Sequence, residues 1–98
     1  MAILNGAVAI DGSAVRERLV ITAAGTAKTS TASYGKGATV LITGLDGDFS
    51  VGSTKAEAEA KTIQGNEYIP VLYRMGNDES VLWVDAETND DAVAITEV

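Results

Sequence analysis

Hydrophobic and polar positions alternate along most of the chain with a period of two, the spacing of half-buried β-strands. The clearest case is Ala38–Gly52, where the apolar run Val40-Leu41-Ile42-Thr43 leads through Gly44-Leu45-Asp46-Gly47-Asp48 to Phe49-Ser50-Val51. Asp46-Gly47 carries turn chemistry, because Asp tolerates φ > 0 and Gly adopts it at no steric cost. The stretch therefore predicts a β-hairpin with Phe49 and Val51 sharing one face. Upstream, Arg16–Thr22 predicts a strand that begins charged and becomes apolar, with Leu19 and Ile21 facing one way and Val20 and Thr22 the other. Between the two lies Ala23–Gly37, small, polar and weakly patterned. Its closing Gly-Lys-Gly triplet is a turn, lacking the Ser or Thr that follows a phosphate loop.

Downstream, Tyr68–Arg74 predicts a strand with Ile69, Val71 and Tyr73 on one face. Pro70 cannot donate to a ladder, which makes that end an edge or a bulge. Met75–Glu79 predicts a second hairpin turn, and Ser80–Asp85 the most apolar strand, Val81 and Trp83 opposing Leu82 and Val84. Tyr68, Tyr73 and Trp83 fall on predicted strands and are assigned to core or interface. Truncation of a buried Trp83 would cost about 3–5 kcal/mol. Asp85–Asp91 is an acidic turn, and Ala92–Val98 closes the chain with Val93 and Ile95 inward.

Ser53–Gln64 is ambiguous. Thr54-Lys55-Ala56-Glu57 fits a helix capping box, yet Ala56, Ala58 and Ala60 alternate strictly with Lys55, Glu57, Glu59 and Lys61. With no large apolar residue before Ile63 to anchor a helix, an exposed edge strand or extended loop is expected. At the N-terminus, Ala2-Ile3-Leu4 and Ala7-Val8-Ala9-Ile10 flank Asn5-Gly6, a hairpin signal when taken alone. Such a terminal segment often gains order only by packing on something else, so residues 1–14 are expected to form an extended arm or edge strand that docks on a neighbour. Turn signals every ~8–12 residues complete an all-β pattern. The expected fold is a small antiparallel β-sandwich or barrel of about 7–8 strands, formed by residues 15–98 as one domain.

Composition narrows the chemistry. The 98 residues include no cysteine and no histidine. That removes disulfides, thiolate metal sites and every catalytic arrangement built on imidazole. The net charge of −7 disfavours nucleic acid and anionic lipid as partners. It is unevenly placed. Residues 1–45 hold four basic against two acidic residues, a balance of +2, whereas residues 46–98 hold three against twelve, a balance of −9. A basic N-terminal part could dock on an acidic neighbour while the acidic part faces water, although acidic loops also serve solubility alone. The first ten residues lack the basic flank of a secretory signal. No apolar run approaches the ~20 residues of a membrane helix.

One stretch resembles a ligand site. Asp85, Glu87, Asn89 and Asp91 place oxygen donors at alternating positions, as in the first half of a calcium loop. Position six of that loop would be Asp90 where a tight turn needs Gly, and position twelve would be Thr96, so a solvated turn is expected and no metal or cofactor. Serine nucleophiles lack both His and a Gly-x-Ser-x-Gly frame. No enzyme is expected.

From Arg16 onward the order of elements is Leu19-Val20-Ile21, Val40–Thr43, Phe49-Ser50-Val51-Gly52, Ile69-Pro70-Val71, Val81–Val84 and Val93–Glu97, closing on an acid. Over about four-fifths of the chain this spacing is similar to the small β-sandwich structural proteins of tailed-bacteriophage heads and tails. The resemblance implies a virion component assembled in the host cytoplasm. Its closest expectation is a decoration (cement) protein, often trimeric, that binds the major capsid protein or another virion protein on the head exterior and stabilises the shell. A minor tail or head-fibre protein is the alternative within that group. Interface residues would be Ile3, Leu4, Val8 and Ile10 of the apolar arm with Arg16 and Arg18. Outside the group, the competing expectation is a soluble carbohydrate- or calcium-binding β module using Gly44–Asp48, Gly76–Glu79 and Asp85–Asp91.

Overall fold

A computed structural model describes residues 15–34, 37–76 and 81–98, together with the backbone of Ile3–Leu4 and Ala7–Val8. Its elements are β1 (Ile3–Leu4), β2 (Ala7–Val8), β3 (Val15–Ile21), β4 (Lys28–Thr29), β5 (Thr39–Gly44), β6 (Phe49–Gly52), α1 (Lys55–Glu59), β7 (Ile63–Gly65), β8 (Val71–Arg74), β9 (Trp83–Ala86) and β10 (Asp91–Glu97). Two antiparallel four-stranded sheets form a sandwich, the first in the order β3-β10-β5-β8 and the second β4-β9-β6-β7. Between them lie Leu19, Ile21, Val40, Ile42, Phe49, Val51, Leu82, Val84, Val93 and Ile95, all buried. The inward positions read from alternation at β3, β6 and β10 are those of the core. Near the N-terminus β1 pairs with β2, Ile3 opposite Val8 and Leu4 opposite Ala7.

The expected central hairpin does not form. β5 has β10 on one side and β8 on the other, so no ladder edge is left for β6. After Gly44 the chain stays one residue longer beside β10, with the Leu45 N–H donating to the Ala92 carbonyl at 2.9 Å. It then crosses to the second sheet as an arch. Gly47 is not among the glycines with positive φ, so the hairpin chemistry of Asp46-Gly47 goes unused. Asp46 instead accepts the Ala92 N–H on Oδ2 at 2.9 Å. The second expected hairpin fails in the same way, because β8 and β9 belong to different sheets; residues 77–80 of that connection lie outside the described residues. Among the described strands of the sandwich, β6 and β7 alone follow one another in the chain and pair in one sheet.

The helix is the second correction. Thr54 caps α1 by accepting the Glu57 N–H at 3.1 Å, and Glu57 reaches back to accept from the Ser53 N–H at 3.1 Å. What anchors it is close approach rather than bulk. Ala58 is fully buried on the outer face of the second sheet, where the Ser50 hydroxyl donates to its carbonyl at 2.6 Å. A Cβ on Gly52 would stand 2.6 Å from the Glu57 Cβ and 2.7 Å from the Ala58 N, so glycine admits the helix. Small residues replaced the apolar stripe that the pattern lacked.

Trp83 is the third. It lies opposite Gly52 and Thr29 and is only partly buried, while Leu82 and Val84 fill the core. Trp83→Ala should therefore cost about 1–2 kcal/mol, set by partial burial without a core cavity. A urea titration showing a loss above about 4 kcal/mol would put the indole back in the core. Tyr68 and Ile69 also leave their expected strand, sitting 85% and 61% exposed in the crossing before β8.

Candidate functional site

Strand directions gather four crossings at one end of the sandwich. Asp91 pairs with Ile21, Val93 with Gly44 and Ile42 with Val71, which brings together residues 22–27, 45–48, 66–70 and 87–90. Asp46, Asp48, Glu67, Glu87, Asp90 and Asp91 lie there, so the C-terminal excess of acid becomes an acidic end.

The four oxygen-donor residues picked from the sequence do not converge on one point. Asp85 is fully buried on β9, and its Oδ1 accepts the N–H groups of Gly25 at 2.9 Å and Ala86 at 2.8 Å. Gly25 meets it with φ +84, a conformation that favours glycine. Asn89 accepts the Ala24 N–H at 2.8 Å. Glu87 pairs with Lys61 at 2.6 Å, a hydrogen bond that holds the lysine above its ordinary range. Asp91 opens β10. Asp85 and Asn89 hold the 22–27 crossing and Glu87 holds the segment after α1, and among the described residues no group of three carboxylates is placed to hold a metal ion. Asp85 Oδ2 is buried without a hydrogen-bond partner among the described residues.

A cleft of about 250 Å³ opens at the same end, lined by Asp48, Gln64, Gly65, Asn66 and Ile69. Asn66 spends its Oδ1 on the N–H groups of Tyr68 and Ile69 at 2.8 and 3.0 Å, leaving Tyr68 exposed beside it.

Of the predicted interface residues, Ile10 lies outside the described residues, and Ile3, Leu4 and Val8 are described only as the backbone of β1 and β2. Arg16 and Arg18 part company. The β3–β10 register shifts between Ile95 and Thr96, so Arg16 occupies a bulge, 3.4 Å from Glu97 and with its guanidinium 5.9 Å from the centre of the Tyr34 ring. Arg18, opposite Ala94, stands on the outer face of the first sheet.

That face is the largest feature the sequence left unread. Alternation along the strands puts Arg18 and Val20 of β3, Ala92, Ala94 and Thr96 of β10, Thr39, Leu41 and Thr43 of β5, and Leu72 and Arg74 of β8 on it, Ala92 and Thr96 being buried there. At its rim are Val15, Leu45 and Val98. Of the seven large hydrophobic residues exposed in the described structure, Val15, Leu45, Leu72 and Val98 belong to this face or its rim. Among the described residues α1 is the only helix, and it lies on the other layer.

Glu17 was also missed as a structural centre. It has the inward parity of Leu19 and Ile21, and a carboxylate on the core side of a strand needs donors. Thr31 supplies its N–H and hydroxyl at 3.0 and 2.7 Å, Ala32 its N–H at 3.0 Å and Tyr34 its hydroxyl at 2.8 Å. The polar stretch that looked featureless is the other half of this clasp.

No family model matches the chain, and no curated protein or solved structure does either.

Proposed function

We propose that this protein is a structural subunit that docks on a larger protein assembly, in the manner of a decoration protein on the outer surface of a tailed-phage head. The observation that carries this reading is the outer face of the first sheet, on which no described helix lies: exposed Leu72 and half-buried Val20, Leu41, Thr39 and Thr43 on a small acidic domain suit a place where another protein sits. Asp46, Asp85, Glu87 and Asn89 are occupied with holding neighbouring segments together, and no reaction is assigned to them. Three copies per docked unit, contacts through Ile3, Leu4, Val8, Ile10 and Arg16, the major capsid protein as partner and a virion location belong to the same proposal. Several weak contacts on a repeating lattice add up through multivalency. For contacts between copies, the edge bearing Ile63, Tyr68 and Ile69 is the available apolar surface.

The test is co-sedimentation. The purified full chain, mixed with tailed-phage heads stripped of their surface subunits, should pellet with them and raise the temperature at which the heads open. A second reading draws on the cleft lined by Asp48, Gln64 and Asn66, whose polar side chains suit a sugar, with the exposed Tyr68 on the same crossing as Asn66. Titration of the chain with oligosaccharides separates the two: saturable binding that quenches tyrosine fluorescence, without pelleting, would replace the docking reading with a carbohydrate module.

A further inference from the structure

We propose that the outer face of the β3-β10-β5-β8 sheet is the docking surface itself, and that its occupant is an acidic protein surface with an apolar centre rather than a second copy of this chain. The inference rests on the docking function and adds to it the surface and the chemistry of the partner.

The argument begins with charge. The chain carries −7 overall, yet the residues that alternation assigns to this face include no Asp or Glu. They include two cations, Arg18 on one edge strand and Arg74 on the other, both exposed. Neither makes an ion pair or a side-chain hydrogen bond among the described residues. Three strand spacings, about 14 Å, separate the two edge strands that bear them. Between them lie Val20, Leu41, Ala94 and Leu72 with Thr39 and Thr43. Leu72 is 66% exposed. A flat apolar centre flanked by unpaired guanidinium groups is a recognition layout: the centre supplies buried area, and the arginines select a partner with carboxylates at matching separation.

The same layout rejects a second copy in the same orientation. Two such faces laid together would bring four arginines into one interface with no carboxylate from either face, and like charges brought together cost several kcal/mol. The opposite layer cannot serve as this docking surface. Its outer face is occupied by α1, with Ala58 buried and Ser50 bonded to the helix, and that helix presents Glu57 and Glu59 toward solvent-side partners such as Ser53 and Lys55. Among the described residues one layer is thus covered by a helix that carries carboxylates and the other presents two arginines, which would orient the molecule on a shell with α1 away from the lattice.

Stripped tailed-phage heads are the probe, with binding read by co-sedimentation at 50 mM and 500 mM NaCl. Wild-type chain should bind at least tenfold more weakly at the higher salt, as expected for exposed charge pairs. The double variant Arg18→Glu/Arg74→Glu should lose at least tenfold in affinity at low salt, and Arg18→Gln/Arg74→Gln should lose less. Ala56→Glu, on exposed α1, should bind as wild type. Circular dichroism and thermal melts accompany each variant, and the Gln pair keeps the test decisive if charge reversal perturbs folding. Binding that survives in both arginine variants, or fails in Ala56→Glu, overturns the surface assigned here while leaving a docking function in place. A change in oligomeric mass in the arginine variants, with head binding intact, would make a second copy the occupant and likewise overturn it. Wild-type chain that never pellets removes both readings.

Discussion

Gly65→Ala is expected to lower stability by about 3 kcal/mol or more, beyond the usual cost of adding one methyl to a packed interior. The reason is what the new methyl would strike. A Cβ at Gly65 would lie 2.5 Å from the Ile69 carbonyl oxygen, 2.7 Å from the Phe49 Cζ and 2.9 Å from the Val71 Cγ2. The first obstacle is backbone, and that backbone is held: Asn66 and Ile69 exchange N–H to carbonyl hydrogen bonds at 2.9 and 3.2 Å. The second is a buried ring, Phe49 being 2% exposed. Relief therefore requires opening the crossing between β7 and β8 or displacing a ring from the centre of the core. Urea titration of the purified variant gives the measurement. A loss below about 1 kcal/mol would show that the crossing yields easily and does not fix the spacing of the two sheets.

That crossing also shows what alternation can and cannot carry. A period of two separates inward from outward residues along one strand, and it did so for Leu19 and Ile21, for Phe49 and Val51, and for Val93 and Ile95. It says nothing of which sheet a strand joins. Gly44–Asp48 has the composition of a hairpin turn because a tight turn and a crossing between layers draw on the same Gly and Asp residues. What decided the outcome was remote in sequence: β10, from the far end of the chain, and β8 take both sides of β5. Where both faces of a segment are apolar, the period loses its meaning, and Val81–Val84 allowed Trp83 to be set in the core when Leu82 and Val84 hold it.

The helix was hidden for a different reason. Its capping residues were legible at Thr54 and Glu57, but its anchor is the absence of side chain at Gly52 and the smallness of Ala58. Hydrophobic patterning weighs bulk and is blind to close backbone approach. The candidate ligand loop misled through the opposite fault: oxygen donors at alternate positions look alike whether they face a cation or the N–H groups of a neighbouring crossing. Asp85 and Asn89 do the latter. The outer face of the first sheet was unread because its residues come from four strands scattered between Val15 and Val98, and only the strand order assembles them.

Glu17→Ala is expected to cost about 3 kcal/mol at pH 7, since the carboxylate collects four hydrogen bonds, each of a kind worth ~1.5–3 kcal/mol when one partner is charged. Partial exposure of Glu17 keeps the total below their sum, because water screens and replaces part of each. Much of the loss comes from Tyr34, whose ring is 2% exposed and whose hydroxyl would lose its acceptor. Burial, then the bond to Glu17, pushes that hydroxyl well above its ordinary range, so it remains a donor at any physiological pH. For Glu17 itself burial raises the carboxyl pKa, but the donors from Thr31, Tyr34 and Ala32 outweigh burial and hold it below its usual 4.5. A carboxyl depressed in the folded state binds its proton more readily when unfolded, so its contribution is complete above the unfolded value and disappears as pH falls through the folded one. The stability difference between wild type and Glu17→Gln should accordingly be constant from pH 7 to about 5 and shrink as the pH drops below 4.5. Glu57 and Glu59, also depressed, titrate alike in both proteins and cancel from the comparison. Urea titrations at pH 7 and pH 3 read this difference directly. If the two proteins lose stability in parallel, the clasp contributes nothing through its charge, and Tyr34 is held by packing alone.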